Sequence, residues 1–125
     1  MKSFTANPAP DVRQMTQPWH ARHAGERVQV IFRGEVIADS CDTMRLDEAT
    51  QPGVYYFPRK DVRMERLVRS SHESFCPFKG YASYFSIRNG PENAVWSYED
   101  PYERMRAIEG RLAFYADKVD SIIAG

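Results

Sequence analysis

Three residues of this chain stand close enough in sequence to raise the question of chemistry: His72, Cys76 and Lys79. An imidazole beside a thiol can withdraw its proton and leave an activated nucleophile. His72 and Cys76 are four apart, a spacing that suits a helix face, whereas the segment reads as loop or strand. The favoured reading makes Cys76 a small buried hydrophobe and His72 a loop hydrogen-bonder. Lys79 precedes Gly80, which lets the backbone bend, and so projects near the aromatic strand Tyr81–Ile87. There it would bind an anionic ligand group, or act as a base if its pKa were depressed. The plainer alternative, favoured here, lays its stem over aromatic faces with the ammonium in water.

Two further groups carry charge or metal-ligand chemistry. His20 and His23 could join His72 and Cys76 around a metal, but the first pair sits in a Pro-rich arm with little pre-organisation. Solvated histidines are the expectation, and no metal site or cofactor is assigned. In Arg59-Lys60-Asp61-Val62-Arg63, Asp61 would cap a turn, or else pair with Arg59, Arg63 or Lys79. Capping is the favoured role.

The aromatic residues supply the walls. Tyr56, Tyr84, Trp96, Tyr98, Phe114 and Tyr115 lie on short strand-like segments, so most of them must be packing. Trp96 and Tyr98 share strand parity and face one side. Tyr84 would join them from the strand before the Asn89-Gly90-Pro91 turn. An aromatic cleft with Lys79 at its rim would take a flat or cationic small molecule, or a peptide side chain.

The elements that must position these groups are mostly strands. Val28, Val30 and Phe32 alternate with Gln29, Ile31 and Arg33, then Gly34-Glu35 punctuates before Val36–Asp39, a hairpin signal. Met44–Asp47 is a third strand, and Pro52-Gly53 a turn before Val54–Phe57. Asp61–Arg63 reads as a single helical turn, Met64–Val68 as strand, then Tyr81–Arg88 and Asn93–Tyr98. Asp100 is expected to cap a short helix with Pro101 at its first position. Gly110 stops it, and Arg111–Tyr115 makes the last strand, with a longer helix continuing through Leu112 and Tyr115 as the rival. Residues 1–25 carry Pro8, Pro10 and Pro18 and read as an extended or mobile arm that docks at Trp19, with a partner-binding tail as the rival, leaving 26–125 as the folded domain.

Bulk composition excludes several classes. A chain of 125 residues makes one domain. Lys plus Arg and Asp plus Glu number 17 each, so no net field draws the chain to nucleic acid or to an anionic membrane. The near-zero charge offers little resistance to self-association, which leaves a homo-oligomer open. No Cys-x-x-Cys occurs, and no apolar run has signal-peptide or membrane-spanning length, so the expectation is a cytoplasmic protein with two free thiols.

The pieces Ile37-Ala38-Asp39-Ser40, Val54–Val62, Cys76-Pro77-Phe78-Lys79-Gly80 with Tyr84, Ala94-Val95-Trp96-Ser97-Tyr98 and Ala113-Phe114-Tyr115 together resemble the DUF427 family, whose function is not established. The resemblance covers residues 27–120. It implies a mainly β, single-domain, β-tent-like fold of curved antiparallel sheets, related to the Mss4-like domains, here with one short helix near the C-terminus. Relatives of that fold hold zinc through two cysteine pairs, which this chain lacks. Phe78 stands where Tyr or Trp is common and Phe85 where Trp is common; both keep a ring and remove a polar handle. Members are sometimes labelled nucleotidyltransferase-like. That chemistry needs paired carboxylates for metal ions, and this chain has no Asp-x-Asp, Asp-x-Glu or Gly-rich phosphate loop.

These readings lead to a binding module for a small molecule or peptide. Its cleft comprises Tyr56, Tyr84, Trp96 and Tyr98, with Lys79, Arg59 and Asp61 as polar contacts. The rivals are an enzyme using Cys76 or Lys79 with His72 assisting, and a structural or oligomerising domain.

Overall fold

The computed structural model describes residues 20–48 and 51–125; Trp19 and the expected arm before it lie outside the described residues. Three antiparallel sheets make up the described fold. The first has β1 (His20–His23), β4 (Met44–Glu48) and β5 (Gln51–Tyr56) in the order β1-β4-β5. The second has β2 (Val28–Phe32), β3 (Glu35–Ser40) and β10 (Ser121–Ala124) in the order β10-β2-β3. The third runs β6-β7-β8-β9, from β6 (Leu67–Cys76), β7 (Gly80–Ile87), β8 (Val95–Ser97) and β9 (Ala113–Phe114).

The period of two read from residues 28–33 is realised in β2, where Val28, Val30 and Phe32 are buried and Gln29 and Ile31 partly exposed. Arg33 and Gly34, both at positive φ, close the hairpin to β3. Two central residues of that kind match the twist of the flanking strands. The turn after β7 also follows its sequence signal. Asn89 takes positive φ, and a Cβ on Gly90 would come within 2.8 Å of the Phe32 ring.

The four-stranded sheet is core on both faces. From β7, Phe85 and Ile87 join Val28, Val30, Phe57, Val95 and Phe114 in one cluster. Ala82 and Tyr84, of the other parity, join Leu46, Tyr56, Tyr98, Met105 and Ile108 in a second. A strand packed on two sides buries nearly every residue, as β7 does. Phe57 is 1% exposed and meets Phe114 edge-on at 5.6 Å; truncating a ring so buried costs about 3–5 kcal/mol.

Several local expectations are corrected. His20–His23, assigned above to the arm, form β1 and pair with β4. Pro52-Gly53 lies inside β5 rather than in a turn, which an edge strand with an irregular register tolerates. Met64–Arg66 is a 3-10 turn, and the strand begins at Leu67 and runs through His72 to Cys76. The helix near the C-terminus is 3-10, spans Glu103–Ile108 and is kinked at Met105; its cap residue is Tyr102, with no side-chain cap bond. Asp100 instead pairs with Arg106. The last strand is β10, which no strong pattern announces; it is held by pairing to β2.

Candidate functional site

Strand register assembles the aromatic groups. Tyr84 of β7 stands directly opposite Trp96 of β8. The Trp96 indole N–H donates to the Tyr56 hydroxyl at 3.3 Å, and the two rings meet edge-on at 6.3 Å. The indole also lies against Tyr115, with ring centroids 4.5 Å apart and planes tilted by 44°. The Tyr84 hydroxyl shares a 2.9 Å hydrogen bond with Ser74 and a further one with the Tyr115 side chain. Burial, and then that bond to Tyr84, push the Tyr115 phenol up to about 12. Tyr98 is buried in the same cluster, and desolvation raises its phenol far above the ordinary value.

Lys79 occupies the β6–β7 turn, where its N–H bonds to the Cys76 carbonyl and Gly80 follows at φ 110°. It is 7% exposed, and its ammonium lies 5.7 Å from the centre of the Tyr98 ring. The lysine is therefore packed on an aromatic face, as in the plainer expectation, but its head is withdrawn from water. Cys76 is partly buried against the same cluster and unbridged.

His72 does not meet Cys76. Four residues of extended strand span roughly 13 Å, and the His72 ring packs instead on Tyr84 at 4.5 Å. Its exposed side borders a polar hollow of about 690 Å³ with Ser70, Glu73, Ser86 and Asn93. The Cys–His arrangement is thus undone by the strand that carries both residues.

Arg59 and Asp61 are also separated from the aromatic set. Arg59 donates to the Gly110 carbonyl at 2.8 Å, to Ser97 at 3.4 Å and to Glu99 at 2.5 Å. Ser97 follows Trp96 on β8, so its side chain points to the opposite face of the sheet. Asp61 receives the Ser40 hydroxyl at 2.6 Å and the Lys60 ammonium at 3.1 Å. The Ser40 bond is the main cause holding its carboxyl below the usual range. Neither partner was foreseen from sequence. Asp61 borders a second hollow of about 490 Å³ with Arg27, Asp39, Lys60 and Arg63.

An apolar hollow lies elsewhere. A groove of about 380 Å³ runs where β5 approaches β8 and β9, lined among others by Val54, Tyr55, Trp96, Phe114, Tyr115 and Ile122. No charged side chain lines it. Of the expected cleft, Trp96 lines this groove and Asp61 the 490 Å³ hollow; Tyr56, Tyr84, Tyr98, Lys79 and Arg59 line none of these three. Tyr115, the ring that completes the wall, stands in the sequence as one aromatic among several and in a family motif, and Val54 as a strand residue; the sequence marks neither of them, nor Ile122, as a cleft residue.

Among the described residues no group of three or more His, Cys, Asp or Glu side chains is placed to hold a metal ion. Among them, too, no helix is long and apolar enough to cross a membrane. A search of curated proteins finds no match to the chain. The sequence profile of a family described as a domain of unknown function, DUF427, matches residues 20–125. With most of its length under that profile and the mainly β architecture in place, the chain belongs to the DUF427 family.

Proposed function

We propose that this domain is a small cytoplasmic binding module for a planar small molecule, which lies in the apolar groove against Trp96 and Tyr115. The observation that carries this reading is the state of the indole. It is only partly buried, it borders an uncharged groove, and it is held by a hydrogen bond to Tyr56 and by ring contact with Tyr115. Groups fixed in this way lose little freedom on binding, which favours affinity. A groove wall of Val54, Phe114 and Ile122 rewards an apolar ring more than a charged one. Tyr56, Tyr84 and Tyr98 act behind the wall, setting the position of the indole. Two unbridged thiols suit a reducing compartment.

The test is a thermal-shift screen of planar metabolites and aromatic peptides. A ligand of this groove should raise the melting temperature of the wild type and leave Tyr115→Ala and Trp96→Ala unshifted. Tyr115 is 36% exposed, so its truncation leaves a folded protein for the comparison. A ligand that binds both variants as tightly as the wild type ends the proposal for this groove.

A further inference from the structure

The opposite face of the four-stranded sheet carries a different constellation. Phe85 of β7 lies beneath two guanidinium groups, those of Arg59 and Arg69, whose carbons are 5.5 Å and 5.6 Å from its ring centre. Both converge on Glu99. Arg59 Nη2 is 2.5 Å from Oε2 and Arg69 Nη2 is 3.3 Å from Oε1, so one carboxylate bridges two cations. Beside them are two serines, Ser83 and Ser97, 8% and 0% exposed. Ser83 accepts from Arg69 at 2.9 Å and Ser97 from Arg59 at 3.4 Å. Arg59 is anchored further by its bond to the Gly110 carbonyl. The guanidinium pair is therefore oriented by neutral groups and a ring, independently of the carboxylate it faces.

We propose that this is an oxyanion-binding site for a phosphate or dicarboxylate group of a small-molecule ligand, and that Glu99 occupies the ligand's place in the free protein. Three features support the assignment. The two guanidiniums share the single carboxylate of Glu99, one on each of its oxygens. Planar guanidinium forks match the oxygens of phosphate and carboxylate, and a dianion satisfies both forks where a single carboxylate shares itself between them. Each serine accepts a guanidinium N–H, which fixes the orientation of the fork it faces. Glu99 can yield its place, because it lies in a bend beyond the end of β8 and its side chain is 34% exposed. The site stands apart from the aromatic groove and does not depend on it.

The experiment titrates inorganic phosphate and, separately, malonate at constant ionic strength, with binding read from backbone amide shifts of Ser83, Ser97 and Glu99. Glu99→Gln removes the competing charge while keeping the shape, and should tighten phosphate or malonate binding by about tenfold or more. Adding Arg69→Ala to that variant should abolish the gain. Whichever anion responds more strongly identifies the ligand group. Arg69 is 54% exposed at its side chain, so Arg69→Ala alone is a second, milder variant. In the wild-type background it should lose whatever anion-dependent shifts the wild type shows at high concentration. The proposal is overturned if Glu99→Gln binds neither anion more tightly than the wild type, or if Arg69→Ala leaves the anion-dependent shifts in place.

Discussion

The indole N–H of Trp96 donates to the hydroxyl of Tyr56 across 3.3 Å, and that bond joins two sheets. Trp96 belongs to β8 of the four-stranded sheet and Tyr56 to β5 of the β1-β4-β5 sheet. The groove wall is thereby tied to a phenol that is itself 1% exposed.

Trp96→Phe keeps a ring at the wall and removes this donor. The expected cost is about 1 kcal/mol of stability, the net worth of one such bond, measured by urea unfolding. A planar ligand should bind the variant more weakly than the wild type but still bind. A variant of unchanged stability would show that the bond adds nothing to the joint between sheets.

Tyr115 gives a pH signature. Its phenol is pushed up to about 12, chiefly by burial and then by its bond to Tyr84. In the unfolded chain it titrates near the ordinary value of 10.0. Between these values the unfolded state has lost the proton that the folded state keeps, so stability falls as pH rises through this window. Below it the group contributes no pH dependence. Ultraviolet titration of the native protein should show a late-ionising phenol near 12 that Tyr115→Phe removes, and the fall in stability over the window should be shallower in that variant.

Gly80 sits at φ 110°, in a region that residues with a Cβ rarely adopt. Space is not the obstacle, since a Cβ there would find its nearest neighbours, the Asp100 carbonyl and Pro101, at 3.6 Å. Gly80→Ala should therefore cost about 1–3 kcal/mol through the backbone alone, seen as a lowered urea midpoint. The same change should disturb the packing of Lys79 on Tyr98, visible as altered Tyr98 ring shifts. An alanine variant as stable as the wild type would contradict the strain.

Much of the β architecture is legible along the chain, because strand parity and turn chemistry are local properties. The alternation of Val28, Val30 and Phe32, a hairpin turn at Gly34 and the turn at Asn89-Gly90 follow from residue type and spacing, although the turn pairs Gly34 with Arg33 rather than with Glu35, which opens β3. So does the placing of Trp96 on one side of its strand. The 3-10 form of Glu103–Ile108 is less legible, since the spacing of Tyr102, Met105 and Ile108 suits either helix type; the structure buries Met105 and Ile108 on a 3-10 segment kinked at Met105. Pro52-Gly53 misleads for a related reason: a turn signature and an irregular edge strand use the same residues.

Parity assigns Ser97 and Trp96 to opposite sides of β8, yet it is silent about what covers each side. Which sheet packs there depends on contacts between residues far apart in the chain, such as Arg59 with Glu99 and Tyr56 with Trp96. That long-range packing gave Arg59 a carboxylate and a ring on one face, and Trp96 a groove on the other. It also kept His72 from Cys76, because an extended strand holds residues four apart at a distance no side-chain hydrogen bond can close. Local chemistry selected the strands, their turns and the family; the burial of both faces of one sheet distributed the functional groups between them.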